Sequence, residues 1–250
     1  MKFLTNKIFS ISFFKKRRIK GFRDLVLLIS YWKFLKFGLS VLKKSNSQIS
    51  QDVFVLLYRS KQKQSDVGFF VEFGAADGIN LSNTFILEKE FNWQGILVEP
   101  AKIWHKKLQM NRKCIIDFSC VHTESGGMIN FLEAQDAFYS SSLQTFESQR
   151  REFGNEEIIH DSYDVPTITL SDLLKTYKAP PFIDYLSIDT EGSELDILRT
   201  VDFNVFQFGI ITLEHNYGEN RKSIQKYLTT NGYRRIHKWL SLHDDWFVLD

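Results

Sequence analysis

Cysteine is almost missing from this chain: Cys114 and Cys120 are the only two in 250 residues. They stand six apart in a stretch read as a strand, which separates them by roughly 20 Å, too far for a disulfide. The pair therefore reads as two small hydrophobes of a reducing compartment. Long apolar runs are missing too. Ile8–Phe14 is stopped by Lys15-Lys16-Arg17-Arg18, and Leu25–Trp32 is broken off by Lys33 and Lys36, so neither reaches the ~20 residues of a spanning helix. The basic tetrad stands where a secretory leader carries small residues for cleavage. No internal repeat is visible. These absences exclude a disulfide scaffold and a membrane-spanning chain, and the expected location is the cytoplasm.

What is present is material for one large core, since 43% of the residues are hydrophobic. Charged residues make up 25%, which excludes global disorder. The net charge of +2 hides an asymmetry. Residues 1–44 carry twelve Lys/Arg against the single acid Asp24, a balance of +11. The remaining 206 residues carry 20 Lys/Arg and 29 Asp/Glu, a balance of −9. The chain thus divides into a basic N-terminal extension, 1–45, and a body, 46–250. Ile19–Lys44 reads as a basic, aromatic-rich helix. It either lies peripherally on an anionic membrane, with Trp32, Phe34, Leu35 and Phe37 entering the interface, or packs on the body or on a second subunit.

From residue 46 the pattern turns to short apolar strands alternating with helices. A helix over Gln51–Lys61 leads in, with Val53, Phe54, Leu57 and Tyr58 on one face. The expected strands are Phe69–Phe73, Gly95–Val98, Cys114–Phe118, Asp184–Ile188 and Ile210–Leu213. None alternates strictly, which suits parallel strands covered on both faces. Helices are expected to open near Ser82, to carry Ile103, Trp104 and Leu108, to be capped by Ser171, and to run between residues 220 and 230. Tyr233–Trp239 and Trp246–Leu249 can close an antiparallel hairpin at the edge. Between Val121 and Val165 the rhythm breaks: Met128–Leu132 reads as an added strand, and 136–163 as a long polar loop of the kind that forms lids. The fold class is α/β, one doubly wound domain.

The most informative segment is Phe69-Phe70-Val71-Glu72-Phe73-Gly74-Ala75-Ala76-Asp77-Gly78, a strand entering a glycine turn, as α/β folds build nucleotide pockets. A dinucleotide fingerprint carries a third glycine, so that pyrophosphate can rest on the helix N-terminus. Here that glycine is missing, and Glu72 and Asp77 would repel a phosphate. They suit a ligand that carries an ammonium and a sulfonium and no phosphate, and S-adenosylmethionine is such a ligand. Glu99 ends the next strand 22 residues after Asp77, where an acid accepts hydrogen bonds from both ribose hydroxyls. A third turn, Ile188-Asp189-Thr190-Glu191-Gly192-Ser193-Glu194, delivers three acids. Ser193 and Glu194 suit a helix N-terminus, whereas Asp189 and Glu191 fall at the pocket rim.

The order Glu-x-Gly-Ala-x-Asp-Gly, Val-Glu-Pro, Val-Pro-x-x-x-Leu-x-Asp-Leu-Leu (Val165–Leu174) and Ile-Asp-x-Glu-Gly-x-Glu resembles the FkbM family of methyltransferases, over about Gly68 to Asp250. Ser82-Asn83-Thr84 and the lead-in Ser47–Phe54 look like the branch that includes the Star-type animal proteins. The resemblance implies a seven-stranded, mostly parallel Rossmann-like sheet, S-adenosylmethionine as cofactor, and O-methylation of a sugar, glycan or related metabolite. It places Glu72, Gly74, Asp77 and Gly78 on the methionine side, Glu99 on the ribose, and Asp189 with Glu191 at the reacting centre.

Methyl transfer to an alcohol needs alignment and gains from a general base. Asp189 is the first choice for that base, and His215, just after the fifth strand, is the second. Asp189, Glu214 and Asn216 are oxygen ligands that could also take Mg²⁺, although no metal set is assigned. A nicotinamide-dependent oxidoreductase is disfavoured by the acid-bearing loop. A nucleic-acid partner is not expected, because the body is acidic and lacks an Asn/Asp-Pro-Pro-Tyr-type segment. The alternative is a non-catalytic, membrane-associated binding protein that keeps the methyltransferase fold. The full set of cofactor-facing acids argues against that reading.

Overall fold

The computed structural model describes residues 22–62, 67–134, 141–142, 159–190, 192–215, 218 and 220–250. The chain divides into two compact units, Met1–Lys44 and Ser45–Asp250. The first contains helix α1 (Phe22–Leu42). Ile29, Trp32, Leu35, Leu39 and Leu42 are exposed, spaced three to four residues apart along one side of the helix. Among the described residues no helix is long and apolar enough to cross a membrane.

The second unit opens with α2 (Gln51–Gln62), β1 (Phe69–Phe73), α3 (Phe85–Phe91), β2 (Gln94–Val98), α4 (Lys102–Asn111) and β3 (Ile115–Asp117). An inserted group follows, made of β4 (Cys120–Val121), β5 (Met128–Ala134), β6 (Ser141–Ser142) and β7 (Ile159–Ile168). Then come α5 (Leu170–Thr176), β8 (Phe182–Ile188), α6 (Glu194–Arg199), β9 (Gln207–Glu214), α7 (Arg221–Thr230), β10 (Tyr233–Ile236) and β11 (Asp244–Leu249).

Seven strands form one sheet in the order β10-β11-β9-β8-β1-β2-β3. β11 is antiparallel to both of its neighbours, and the other described pairings in this sheet are parallel. The continuous apolar runs are explained by burial on both faces: on one, Val71, Phe73, Ile96, Val98, Leu186, Ile188, Ile211 and Leu213 join Leu170, Leu173, Leu174, Ile197, Leu198, Ile224 and Leu228 of the helices in one core, and on the other Phe70, Leu97, Tyr185 and Ile210 are buried as well. β8 and β9 begin earlier than their apolar runs suggest, because pairing continues through exposed Phe182 and Gln207. The two edge segments do form a hairpin, but the second strand sits inside the sheet and the first at its edge.

The insertion departs from the expected loop. β7 pairs antiparallel with β5 from Met128↔Pro166 to Ala134↔Ile159, so residues 159–163 are strand. Residues 135–140 and 143–158, where the rest of the expected lid falls, lie outside the described residues. Phe131 and Val165 of this second sheet pack with Ala76, Ala101 and Trp104, so the insertion buttresses the turn after β1. Two expected caps also shift. The cap of α5 is Thr169, whose hydroxyl accepts from Asp172 N, because Ser171 Oγ donates to Thr200 O at 2.7 Å. Helix α3 starts at Phe85 rather than Ser82, because the preceding residues are held by Glu72.

Candidate active site

Because β11 is antiparallel, the C-terminal ends of β1, β2, β3, β8, β9 and β10 share one edge with the N-terminal end of β11. The order in which the strands are connected reverses between the parallel neighbours β1 and β8, and crevices for ligands open at such switch points. Gly74 lies there with φ +73°, and a Cβ on it would collide with the carbonyl oxygen of Asp189. Glycine is therefore required twice over, by backbone conformation and by close approach. Gly74 N donates to Val98 O at 3.1 Å, tying the turn to β2. Gly78 is similarly constrained: its φ is +78°, and a Cβ there would lie 2.6 Å from Leu108 and 2.7 Å from Arg112.

The carboxylates act on this turn in different ways. Asp77 Oδ1 accepts from the N–H groups of Ile79 and Asn80, at 2.9 and 2.8 Å, and its Oδ2 accepts from Asn80 Nδ2 at 2.6 Å. Glu72 is buried beneath the loop. It accepts from Ser82 Oγ, Asn83 N and Thr84 Oγ1, at 3.0, 2.7 and 2.5 Å, with Arg112 Nη1 3.8 Å away. Burial raises its carboxyl above the ordinary range, against the pull of Arg112 and these hydrogen bonds. Asn83 Nδ2 also donates to Ser187 Oγ on β8 at 2.9 Å, so the loop is pinned to both central strands.

Glu99 closes β2 and is buried. Its Oε2 accepts from Ala76 N at 2.7 Å and its Oε1 from Ala101 N at 2.8 Å. It thus clamps the β1 turn to the start of α4, a task invisible in the sequence. Burial pushes its carboxyl up to about 7, despite these two bonds. One further acid was missed by the sequence reading: Asp117, ending β3. It accepts from Ser119 N at 2.7 Å and Tyr177 Oη at 2.8 Å, while its carbonyl takes Glu99 N at 3.0 Å. The available signal was its place at a strand end, as for Glu99.

Asp189 lies at the end of β8, exposed on this rim against the Gly74 turn. Glu191 lies outside the described residues. Ser193 stands at the start of α6 without a side-chain cap bond. Buried Glu194 accepts from Gly192 N at 2.8 Å and Thr190 N at 3.3 Å, and so holds the turn that precedes the helix. His215 is buried, with Nε2 3.5 Å from Asp245 Oδ1 at the start of β11. Arg221 and Arg235 reach the same carboxylate at 2.9 and 2.5 Å. Burial raises Asp245, but His215 and the two guanidiniums hold it below the ordinary range. Among the described residues no group of three or more His, Cys, Asp or Glu could hold a metal ion, and Asn216 lies outside them. Cys114 and Cys120 are both free, and burial pushes each thiol up to about 12.

A seven-stranded sheet with one antiparallel strand, a glycine turn after β1 and an acid ending β2 is the Rossmann-like fold of the methyltransferases. The methyltransferase FkbM domain matches residues 72–245, and the chain belongs to that family. Among solved structures it is similar to the methyltransferase FkbM of Methylobacillus flagellatus, at 13% identity and a TM-score of 0.45, covering 86% of this chain and 59% of that one. It is also similar to a human methyltransferase 10 domain containing protein, at 8% identity and TM-score 0.41, covering 83% and 84% of the two chains. A third is the precorrin-6y C5,15-methyltransferase of Geobacter metallireducens, at 10% identity and TM-score 0.38, covering 78% and 79%. The chain thus spans 59% of the length of the Methylobacillus protein. No curated protein matches it.

Proposed function

We propose that this protein transfers the methyl group of S-adenosylmethionine to a hydroxyl oxygen of a sugar, glycan or related metabolite. The observation that carries the reading is the meeting of the Gly74 turn with Asp189 at the switch point, with Glu99 clamping the same turn. Each carboxylate oxygen of Glu99 has a second lone pair, to which the ribose hydroxyls donate. Gly74, Asp77 and Gly78 shape the methionine side through their backbone, and Glu72 supports it from beneath as a positioning residue. S-adenosylmethionine held there would supply the methyl group to the acceptor oxygen and leave as S-adenosylhomocysteine, while Asp189 would take the proton released from the hydroxyl as the methyl ether forms. His215, paired with Asp245, supports the β9–β11 seam.

Calorimetry with S-adenosylhomocysteine tests the reading, and no binding by folded protein overturns it. Glu99→Ala is expected to weaken binding by about 1.5–3 kcal/mol, the range for hydrogen bonds to a charged group. An unchanged affinity removes Glu99 from the ribose. The same residue sets a pH dependence. Its folded pKa of about 7 lies above the ordinary 4.5, so the folded state holds an extra proton between these values. Its contribution to stability is therefore full below about 4.5 and declines as pH rises toward 7. The ionised form accepts from the ribose, and its fraction falls about tenfold between pH 8 and pH 6. Affinity is expected to fall by a similar factor over that range, and Glu99→Gln should flatten the profile.

We propose further that the basic extension binds an anionic membrane surface. Each lysine or arginine near such a bilayer contributes about 1 kcal/mol, and inserted apolar side chains add comparable amounts. The 250-residue chain is expected to sediment with phosphatidylserine vesicles at low salt and to release at high salt. A chain beginning at Asn46 should fold and bind S-adenosylhomocysteine but lose most vesicle binding. Unfolding of the shortened chain would make the extension a packing element instead.

A further inference from the structure

We infer that the β10–β11 loop, residues Lys238–Leu242, is a second lipid-contact surface, and that through it the methyl-transfer edge of the body docks on an anionic bilayer. Because β10 runs parallel to β8 and β9, this loop emerges on the same sheet edge as Asp189. Its tip presents Trp239, Leu240 and Leu242, which are 78%, 42% and 56% exposed.

The tip is held out by a formed turn. Leu240 N donates to His237 O at 2.8 Å and Asp244 N to Ser241 O at 2.7 Å, and Ser241 between the apolar residues is fully buried. His237 and Leu242, at φ 51° and 45°, take the left-handed conformation that non-glycine residues enter only at a cost. The His237 ring is anchored edge-on to Phe54 and Trp246, at 5.6 and 6.2 Å between centroids. A conformation that costs energy and exposes three large apolar side chains calls for something to cover them.

Charge selects the cover. Of the six Lys/Arg in residues 218–243, Arg221 and Arg235 bind Asp245 and Arg234 binds Asp250, which leaves Lys222, Lys226 and Lys238 against the single acid Glu219, within a body that is net acidic. A tryptophan flanked by lysine and leucines is suited to the boundary between headgroups and acyl chains. Three side chains at up to ~250 Å² each bring at most about 750 Å², and only part of that is exposed, short of the ~800 Å² per partner of a standard protein interface. A lipid surface needs no such area. The loop is tied to the start of the body, where Gln48 Oε1 lies 2.9 Å from His243 Nε2. The inference takes only the lipid class from the membrane reading above.

Trp239 can report on itself. In a Trp32→Phe background Trp93, Trp104 and Trp246 are buried, at 4%, 8% and 4% exposure, so Trp239 is the exposed indole. With vesicles of phosphatidylcholine and brominated phosphatidylserine, its emission is expected to shift blue and be quenched, and both changes should vanish in Trp239→Ser. The triple variant Trp239→Ser, Leu240→Ser, Leu242→Ser should sediment with these vesicles roughly tenfold more weakly, as expected when about 1.4 kcal/mol of apolar insertion is lost, and keep its affinity for S-adenosylhomocysteine. Vesicle binding with Trp239 unquenched would overturn the inference, leaving the extension as sole anchor. Absence of vesicle binding with cofactor affinity intact would overturn both membrane readings and leave methyl transfer standing. Self-association abolished by the triple variant would show that a second copy covers the tip, and would overturn the inference too.

Discussion

Asp189→Asn is expected to lower turnover by about 10²–10⁴-fold, the range contributed by a positioned general base. Affinity for S-adenosylmethionine should stay within about threefold, as for a surface change of ~0.5 kcal/mol. The expectation rests on placement. Asp189 is exposed on the rim and its backbone abuts the Gly74 turn, where an acceptor hydroxyl could reach its carboxylate. The amide keeps the shape and loses the basicity. Single-turnover kinetics with cofactor bound beforehand separates the two effects. A variant as fast as the parent would move the base elsewhere. His215 is then the next to test, although its Nε2 is turned toward Asp245. Chelator treatment is expected to leave the parent's turnover intact. A loss restored by Mg²⁺ would instead make Asp189 a metal ligand.

The largest effect on stability is expected at Arg112, through Arg112→Met. This guanidinium is buried between Phe70 and Phe85, 5.5 and 5.9 Å from their ring centroids. It binds Glu88 at 2.5 Å, Gly78 O at 3.1 Å, Ser82 Oγ at 3.1 Å and Thr84 Oγ1 at 2.9 Å. Removing it leaves Glu72 and Glu88 without their buried cation. Breaking one partner of a buried pair costs about 3–5 kcal/mol. For a chain of this size that corresponds to a fall of roughly 6–20 °C in Tm, at about 2–4 °C per kcal/mol. Adding Glu72→Gln, which removes the stranded charge, should recover about 0.5–3 kcal/mol of coupling. A thermal melt of Arg112→Met within a degree of the parent would show that the cluster is hydrated, not held by this arginine.

This cluster also marks where sequence reading reached and where it stopped. Glu72 stood out because a carboxylate inside an apolar strand needs a reason, and a cofactor was the reason on offer. The structure places three donors from Ser82–Thr84 and the Arg112 guanidinium around it. Ser82-Asn83-Thr84 was recognised as a motif but taken for a helix start. Arg112, forty residues along, carries no local sign of its partner. His215 shows the same limit: its place after a strand is legible in the sequence, whereas its partner Asp245, thirty residues on, is not.

The sequence by itself determined the parallel strands, since burial on both faces writes an unbroken apolar run into each of them. It also determined the glycine at position 74 and the acids at strand ends, because backbone conformation and strand termini are local properties. Tertiary structure alone decided which acids remain at the rim. Buried Glu72 and Asp245 are taken up by partners brought from elsewhere in the chain, and Glu99 is divided between two backbone N–H groups. Asp189 stays exposed beside the turn. A buried carboxylate must be satisfied wherever donors can reach it, and that reach is set by packing, which no stretch of sequence displays.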